Sequence, residues 1–360
     1  MVKRTFLVKQ VSERDLLKKA QKSIESVLLE VPFVELKESK ANVRIDNKQV
    51  DMILNLLVSG KPARFIVEVK SQGEPRFIRM AAAQIRSYLK NIKDAYGMIV
   101  APYISDASRQ ICREAGIGCT DLAGNAFLSF KNIFIDRSGR PNPFIVARLS
   151  KSVFSPKSSR ILRVLLSDPS KRWYVEDLSQ EAGISMGLTS RVKQTLLSQE
   201  WIKEENKSFY LVKPEEVLNQ WVNNYFYEKN LGFSFYSGLS EEQFEAAIKE
   251  ECEKRKYRYG LALFSGARRV APFVRFMKFF SYIDGDIEDI AKALQFKKVE
   301  SGANVTLLQP YDEGVFYGLQ DINDINVVSD IQLFLDLKSY KGRGEEAAQA
   351  IFEQKIKPKW

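Results

Sequence analysis

Apolar and polar positions alternate across "ARFIVEVK" (63–70), with Phe65, Val67 and Val69 interleaved with Ile66, Glu68 and Lys70. A period of two marks a strand whose successive side chains face opposite sides. One face is apolar; the other aims Glu68 and Lys70 in one direction. Further strand-like runs are "FVELK" (33–37), "NVRID" (42–46) and "QVDMILNLLVSG" (49–60), followed later by "AYGMIVAPYI" (95–104), "GCTDLAGNAFLSF" (118–130) and "NIFID" (132–136). The period lengthens to that of a helix at 12–31, with Ser12 as N-cap, at 77–93, and at "SDASRQICREAG" (105–116), which Gly116 stops. Strands alternating with helices predict a mixed α/β domain over residues 1–140.

The pattern then changes. Residues 137–160 carry three prolines and many polar residues, and 141–157 is expected to be a linker. Residues 158–225 predict three helices, at 158–168, 175–183 and 185–199, followed by the hairpin "WIKEENKSFYLV" (201–212) with Asn206-Lys207 at its tip. A helix, a Gly-containing turn and a second helix spell a helix-turn-helix, and the hairpin makes it winged. Val175, Leu178 and Ala182 form the buried stripe of the first of that pair, and Leu188, Val192 and Leu196 that of the second. This leaves Ser185, Thr189, Ser190, Arg191, Lys193 and Gln194 facing outward, where a recognition helix meets bases and phosphates. Residues 231–360 mix helices and strands as an α+β domain, opening on the capping box Ser240-x-x-Gln243.

Composition narrows the chemistry. The chain has no histidine, so triads built on His and zinc sites of the HExxH kind are excluded. "GISMG" (183–187) spells a nucleophile elbow, but nothing activates Ser185. Three cysteines without a CxxC pair, no signal-peptide core and no long apolar run point to reduced thiols, a cytoplasmic setting and no membrane partner. Net charge is +10, and residues 1–150 hold 25 Lys/Arg against 15 Asp/Glu, so the whole excess lies at that end and favours a polyanion.

Asp51 lies 17 residues before Glu68 on a neighbouring predicted strand. Two convergent carboxylates and a lysine are a kit for phosphodiester hydrolysis. Asp51 and Glu68 would hold a divalent cation, Mg²⁺ above all, with the Val69 carbonyl as a third oxygen. Lys70 would orient or deprotonate water. Gln84 and Tyr88, four apart, share a helix face and can reach the same place. Arg76, Arg79 and Arg86 on that helix suit phosphates. The set resembles the PD-(D/E)xK nucleases, with Gln84 to Tyr88 similar to the QxxxY element of one branch and Val50 where the motif's proline would stand. The resemblance implies a restriction-endonuclease-like fold.

In the last third, "ALFSGARRVAPFVRF" followed by "FFSYIDGDIEDI" hints at a nucleotidyltransferase-like layout, although Asp284-Gly285-Asp286 reads more readily as a hairpin turn. Arg268, Arg269 and Arg275 are further candidates for a phosphate or a partner. Taken together, "FIVEVKSQGEPRFIR", "VAPYIS", "REAGIGCTDLAGNAFLSF", the winged helix, "SGARRVAPFV" and "VVSDIQLFLDLKSYKGRGEEAAQAI" resemble the AbiEi-like antitoxins of type IV toxin–antitoxin systems. That resemblance implies a transcriptional regulator that binds DNA; from the winged-helix pattern, Lys207 of the wing is expected among the contacts. The regulator's implied partner is a nucleotidyltransferase-type toxin; a homodimer is a separate expectation for the chain. The alternative is a Mg²⁺-dependent DNA endonuclease targeted by its winged helix.

Overall fold

The computed structural model describes residues 13–45, 48–90, 92, 94–144, 153–271, 278–340, 342 and 344–360. Ser12, Arg275 and residues 145–152 of the expected linker lie outside the described residues. The chain divides into two compact units, Met1–Ser150 with Ser198–Glu200, and Lys151–Leu197 with Trp201–Trp360.

The first unit is a seven-stranded mixed sheet with helices on both faces. Its elements are α1 (Glu13–Leu28), β1 (Val34–Ile45), β2 (Lys48–Val58), β3 (Lys61–Val69), α2 (Pro75–Leu89), β4 (Ala95–Ala101), α3 (Asp106–Glu114), β5 (Gly118–Asp121), β6 (Ala126–Phe130) and β7 (Ile133–Arg137). The strands lie in sequence order. Only the β3–β4 and β4–β5 pairs are parallel, each crossing over through a helix. The runs at 33–37 and 42–46 are one strand, β1. Its polar middle is tolerated because it lies at the sheet's edge, where Lys40 pairs with Glu38 at 2.9 Å.

Strand alternation sorts the core. Phe65 and Val67 pack with Met52, Leu54, Tyr96 and the α1 residues Ala20 and Ile24. On the opposite face Ile78, Ala81 and Ile85 of α2 pack with Ile99 and Cys112, while Ile66 and Ile53 meet Tyr88. Gly97 lets α2 lie close on β4: a Cβ there would stand 2.2 Å from Ile85 Cγ2. This close seating carries Gln84 and Tyr88 down onto the face that bears Glu68.

The second unit holds α4 (Pro156–Ser167), α5 (Val175–Glu181), α6 (Met186–Ser198), the hairpin β8 (Ile202–Glu205) and β9 (Ser208–Leu211), and α7 (Pro214–Val222). Asn206 and Lys207 at the tip have φ of 50° and 68°, as a two-residue hairpin turn requires. A six-stranded mixed sheet follows, ordered β10 (Leu231–Phe235), β13 (Val305–Gln309), β12 (Phe279–Asp284), β11 (Arg258–Leu261), β15 (Asn326–Val327) and β14 (Gln320–Asp321). Helices α8 (Glu241–Arg255), α9 (Leu263–Val270), α10 (Ile287–Ala293), α11 (Asp330–Ser339) and α12 (Gly344–Ile351) accompany it. One hydrophobic cluster runs through this whole unit, from Leu162 and Phe209 to Phe280 and Leu335. The capping box at Ser240 and Gln243 is formed.

One turn is corrected. Asp284-Gly285-Asp286 is not a hairpin: Asp284 ends β12, and Asp286 caps α10 by accepting from Asp289 N at 3.1 Å. An aspartate followed by a helical period serves as an N-cap as readily as a turn. Gly285 is required because a Cβ would lie 2.3 Å from the Tyr257 ring. Among the described residues no helix is long and apolar enough to cross a membrane.

Candidate active site

The register of β2 against β3, in which Met52 faces Val67, sets Asp51 beside Glu68 on the face that α2 covers. Asp51 Oδ2 accepts from the Val69 amide at 2.7 Å. Glu68 is 2% exposed. Its Oε2 accepts from Lys70 Nζ at 2.7 Å and its Oε1 from Gln84 Nε2 at 3.2 Å. Gln84 also donates to Tyr88 OH at 2.6 Å, and Tyr88 in turn donates to the Gln49 carbonyl at 3.3 Å. Lys70 Nζ lies 3.4 Å from Gln84 Oε1. All five residues singled out in the sequence therefore meet at one place.

Burial pushes the Glu68 carboxyl above the usual glutamate range, and the neighbouring Asp51 carboxylate adds to this, while the Lys70 ammonium pulls the other way. The arrangement is under electrostatic stress: two acids converge, and the one cation beside them, Lys70, pairs with Glu68. The donor set fits a small hard divalent ion, which takes carboxylate oxygens and keeps waters of its own. Among the described residues no three His, Cys, Asp or Glu side chains converge. Such an ion would thus be held by Asp51 and Glu68, with backbone and water oxygens completing the shell.

The basic residues of α2 divide. Arg76 and Arg79 lie on its exposed side, with Arg79 donating to both oxygens of Glu200 at 2.8 and 2.9 Å. Arg86 instead donates to the Ala115 and Glu114 carbonyls, both at 3.3 Å, and so ties α2 to the end of α3.

In the second unit, the outward face expected of α6 is corrected at two of its six positions. Ser185, Ser190, Arg191 and Gln194 are exposed, as is Lys207. Thr189 is fully buried and donates to the Ser185 carbonyl at 3.2 Å. Lys193 is 9% exposed, reaching past the Phe209 ring to Glu204 at 2.5 Å. The buried stripe runs through Thr189, Val192, Lys193 and Leu196, the 3–4–7 spacing of a helix face. Both polar residues belong to it because a methyl and an aliphatic stem pack like apolar groups.

The glycine-serine pair of the last third lies inside α9. There Ser265 Oγ accepts from Phe280 N at 3.0 Å, and a Cβ on Gly266 would meet Leu333 at 2.6 Å. Arg268 pairs with Glu241, and Arg269 with Glu245 and the Ile322 carbonyl. These roles are structural. Sequence reading also passed over a buried node in this unit. The fully buried Asp336 accepts from Tyr225 OH at 2.5 Å, Gln332 Nε2 at 2.7 Å and Tyr282 OH at 3.0 Å. The only signal was a polar residue at the helix spacing Gln332-x-x-x-Asp336 within an apolar stretch.

Residues 210–357 match the family model described as transcriptional regulator, AbiEi antitoxin, Type IV TA system. No curated protein matches the chain. Among solved structures, a repair endonuclease from Pyrococcus abyssi is 16% identical, covers 28% of this chain and 46% of its own, and superposes with a TM-score of 0.21. An EndoMS–dsDNA2 complex is 13% identical, with coverage of 28% and 42% and a TM-score of 0.21. A protein of unknown function is 15% identical, with coverage of 51% and 98% and a TM-score of 0.22. The chain spans less than half the length of the first two.

Proposed function

We propose that this protein is a cytoplasmic DNA-binding regulator of the AbiEi antitoxin kind whose first unit carries a divalent-cation-dependent phosphodiesterase site. The observation that carries the second half is the hydrogen-bonded network of Glu68, Lys70, Gln84 and Tyr88 with Asp51 beside it. A buried carboxylate held between a lysine and a glutamine, with a second carboxylate beside it, is costly to build and serves no packing need.

Asp51 and Glu68 are the residues that would hold Mg²⁺. When bound, the cation would polarise a scissile phosphate and make its water more acidic. Lys70, whose ammonium donates to Glu68 at 2.7 Å, would orient that water, and its charge offsets negative charge gathering on the phosphate. Gln84 and Tyr88 fix the Glu68 carboxylate so that its orientation does not have to be found anew in each turnover. The basic excess of residues 1–150, with Arg76 exposed near the start of α2, supplies the attraction for the nucleic-acid backbone.

The second unit supplies a second DNA-binding element, the winged helix of α5, α6, β8 and β9, with Ser185, Ser190 and Arg191 turned outward. The match over residues 210–357 supports a regulator that answers to a nucleotidyltransferase-type toxin. The test is incubation of the full chain with plasmid and single-stranded DNA in Mg²⁺ or Mn²⁺ beside Lys70→Ala. Cleavage that needs the metal and falls by about 100-fold or more in the variant supports the reading. Metal-independent cleavage, or equal cleavage by the variant, contradicts it.

A further inference from the structure

The hairpin of the second unit is a three-rowed sheet. Trp173 bridges antiparallel to Phe209, with backbone bonds of 2.8 and 2.9 Å in both directions, so residues 172–174 flank β9. Alternation then sorts the side chains. Trp173, Phe209, Ile202 and Leu211 point into the hydrophobic cluster. Arg172, Tyr174, Lys203, Glu205 and Tyr210 stand on the opposite, outer face, with Lys207 at the tip.

Two features set this face apart from the helix-turn-helix beside it. The first is charge. Arg172, Lys203 and Lys207 outnumber Glu205, which lies between two of them at 2.8 Å from each and has its carboxyl held down at about 2 by Lys203 and Arg172. The exposed side of α5 instead shows Glu176, Asp177 and Glu181, and that of α6 offers Arg191 alone against them. A polyanion is drawn to the sheet and repelled by α5. The second feature is order. Arg172 lies over the Tyr210 ring at 4.7 Å, so its guanidinium is pre-positioned, and Tyr174 next to it is 53% exposed. Lys193, the lysine that the sequence placed on the recognition face, is committed to Glu204.

Resting on the reading that the second unit binds DNA, we propose that it docks on the phosphate backbone of duplex DNA through the outer face of this hairpin sheet. Arg172, Lys203 and Lys207 are the phosphate contacts and Tyr174 covers the adjoining sugar edge. Helix α6 then contributes little to affinity, because its exposed side carries a single cation, Arg191, while that of α5 carries three acids.

The test uses the full chain and a labelled duplex of random sequence, with anisotropy titrations at several salt concentrations. The double variant Arg172→Gln, Lys203→Gln is expected to weaken binding by about 10-fold and to lower the slope of log affinity against log salt by about 2. Lys207→Gln alone should lower the slope by about 1, and Arg191→Ala should change affinity by less than about 3-fold. These side chains are exposed, and an unchanged melting curve shows that each variant is folded. If Lys207→Gln and the double variant leave affinity and slope unchanged, or if Arg191→Ala has the larger effect, the sheet is not the docking face although the DNA reading survives. If wild type binds no duplex, both fail.

Discussion

Glu68 and Asp336 are both buried carboxylates, and the comparison separates a site from a core. Glu68 is answered by a half-buried ammonium, a glutamine and, next to it, another carboxylate. Asp336 is answered by two tyrosine hydroxyls and a glutamine, all neutral and all buried. Burial pushes its carboxyl up to about 6 even though these hydrogen bonds, and the buried Arg163, pull it down. One carboxylate is kept beside charges that a ligand can replace; the other is locked by neutral hydrogen-bond partners that tie Tyr225, just past α7, and β12 to α11. Burial alone therefore does not mark function. What marks it is a second carboxylate and a partly exposed ammonium set beside the buried one.

That contrast can be broken by experiment, the strongest effect first. Asp336→Ala removes the acceptor of two buried hydroxyls and should cost about 3–4 kcal/mol in chemical unfolding. A loss below about 1 kcal/mol would mean the node is not structural. Next comes pH. Because the folded carboxyl of Asp336 is raised, its contribution is complete below the ordinary aspartate range and is lost as pH climbs through about 6. Wild type should thus lose up to about 3 kcal/mol against Asp336→Asn between about pH 4 and 7; parallel stability profiles would refute this.

The third test moves to the site. Lys70→Met leaves Glu68 buried without its cation and should destabilise by about 1–3 kcal/mol, an effect that Glu68→Gln in the same chain largely removes. For Glu68 itself the raised carboxyl has the same sign as for Asp336. Wild type should therefore lose ground to Glu68→Gln as pH rises above the glutamate range. The smallest effect is on α6. Lys193→Met removes only an ammonium already committed to Glu204 and the Phe209 ring, so DNA affinity should stay within about 2-fold of wild type. A larger loss would restore Lys193 to the DNA face.

The same contrast explains what the sequence disclosed. The strand and helix at 63–91 were legible because two periods intersect there. Alternation fixes which face bears Glu68 and Lys70, and the i, i+4 spacing fixes that Gln84 and Tyr88 act together. Helix α6 was legible as an element but not in its facing. Its stripe includes a threonine and a lysine, and a pattern scored by apolarity skips both and rotates the helix by a fraction of a turn. Gly285 and Asp286 failed for another reason: Asp-Gly suits both a hairpin and a helix start, and only the partner of β12 decides. The third row of the hairpin sheet and the Asp336 node come from residues distant in sequence and have no local signature.

The most direct measurement is a calorimetric titration of Mn²⁺ into wild type, Asp51→Asn and Glu68→Gln near neutral pH. The account predicts one weak site in wild type, with affinity falling as pH is lowered because protons compete for the same carboxylates, and no site in either variant. Equal binding by all three proteins, or no metal-dependent heat in wild type at millimolar cation, would contradict the claim that Asp51 and Glu68 form a metal centre.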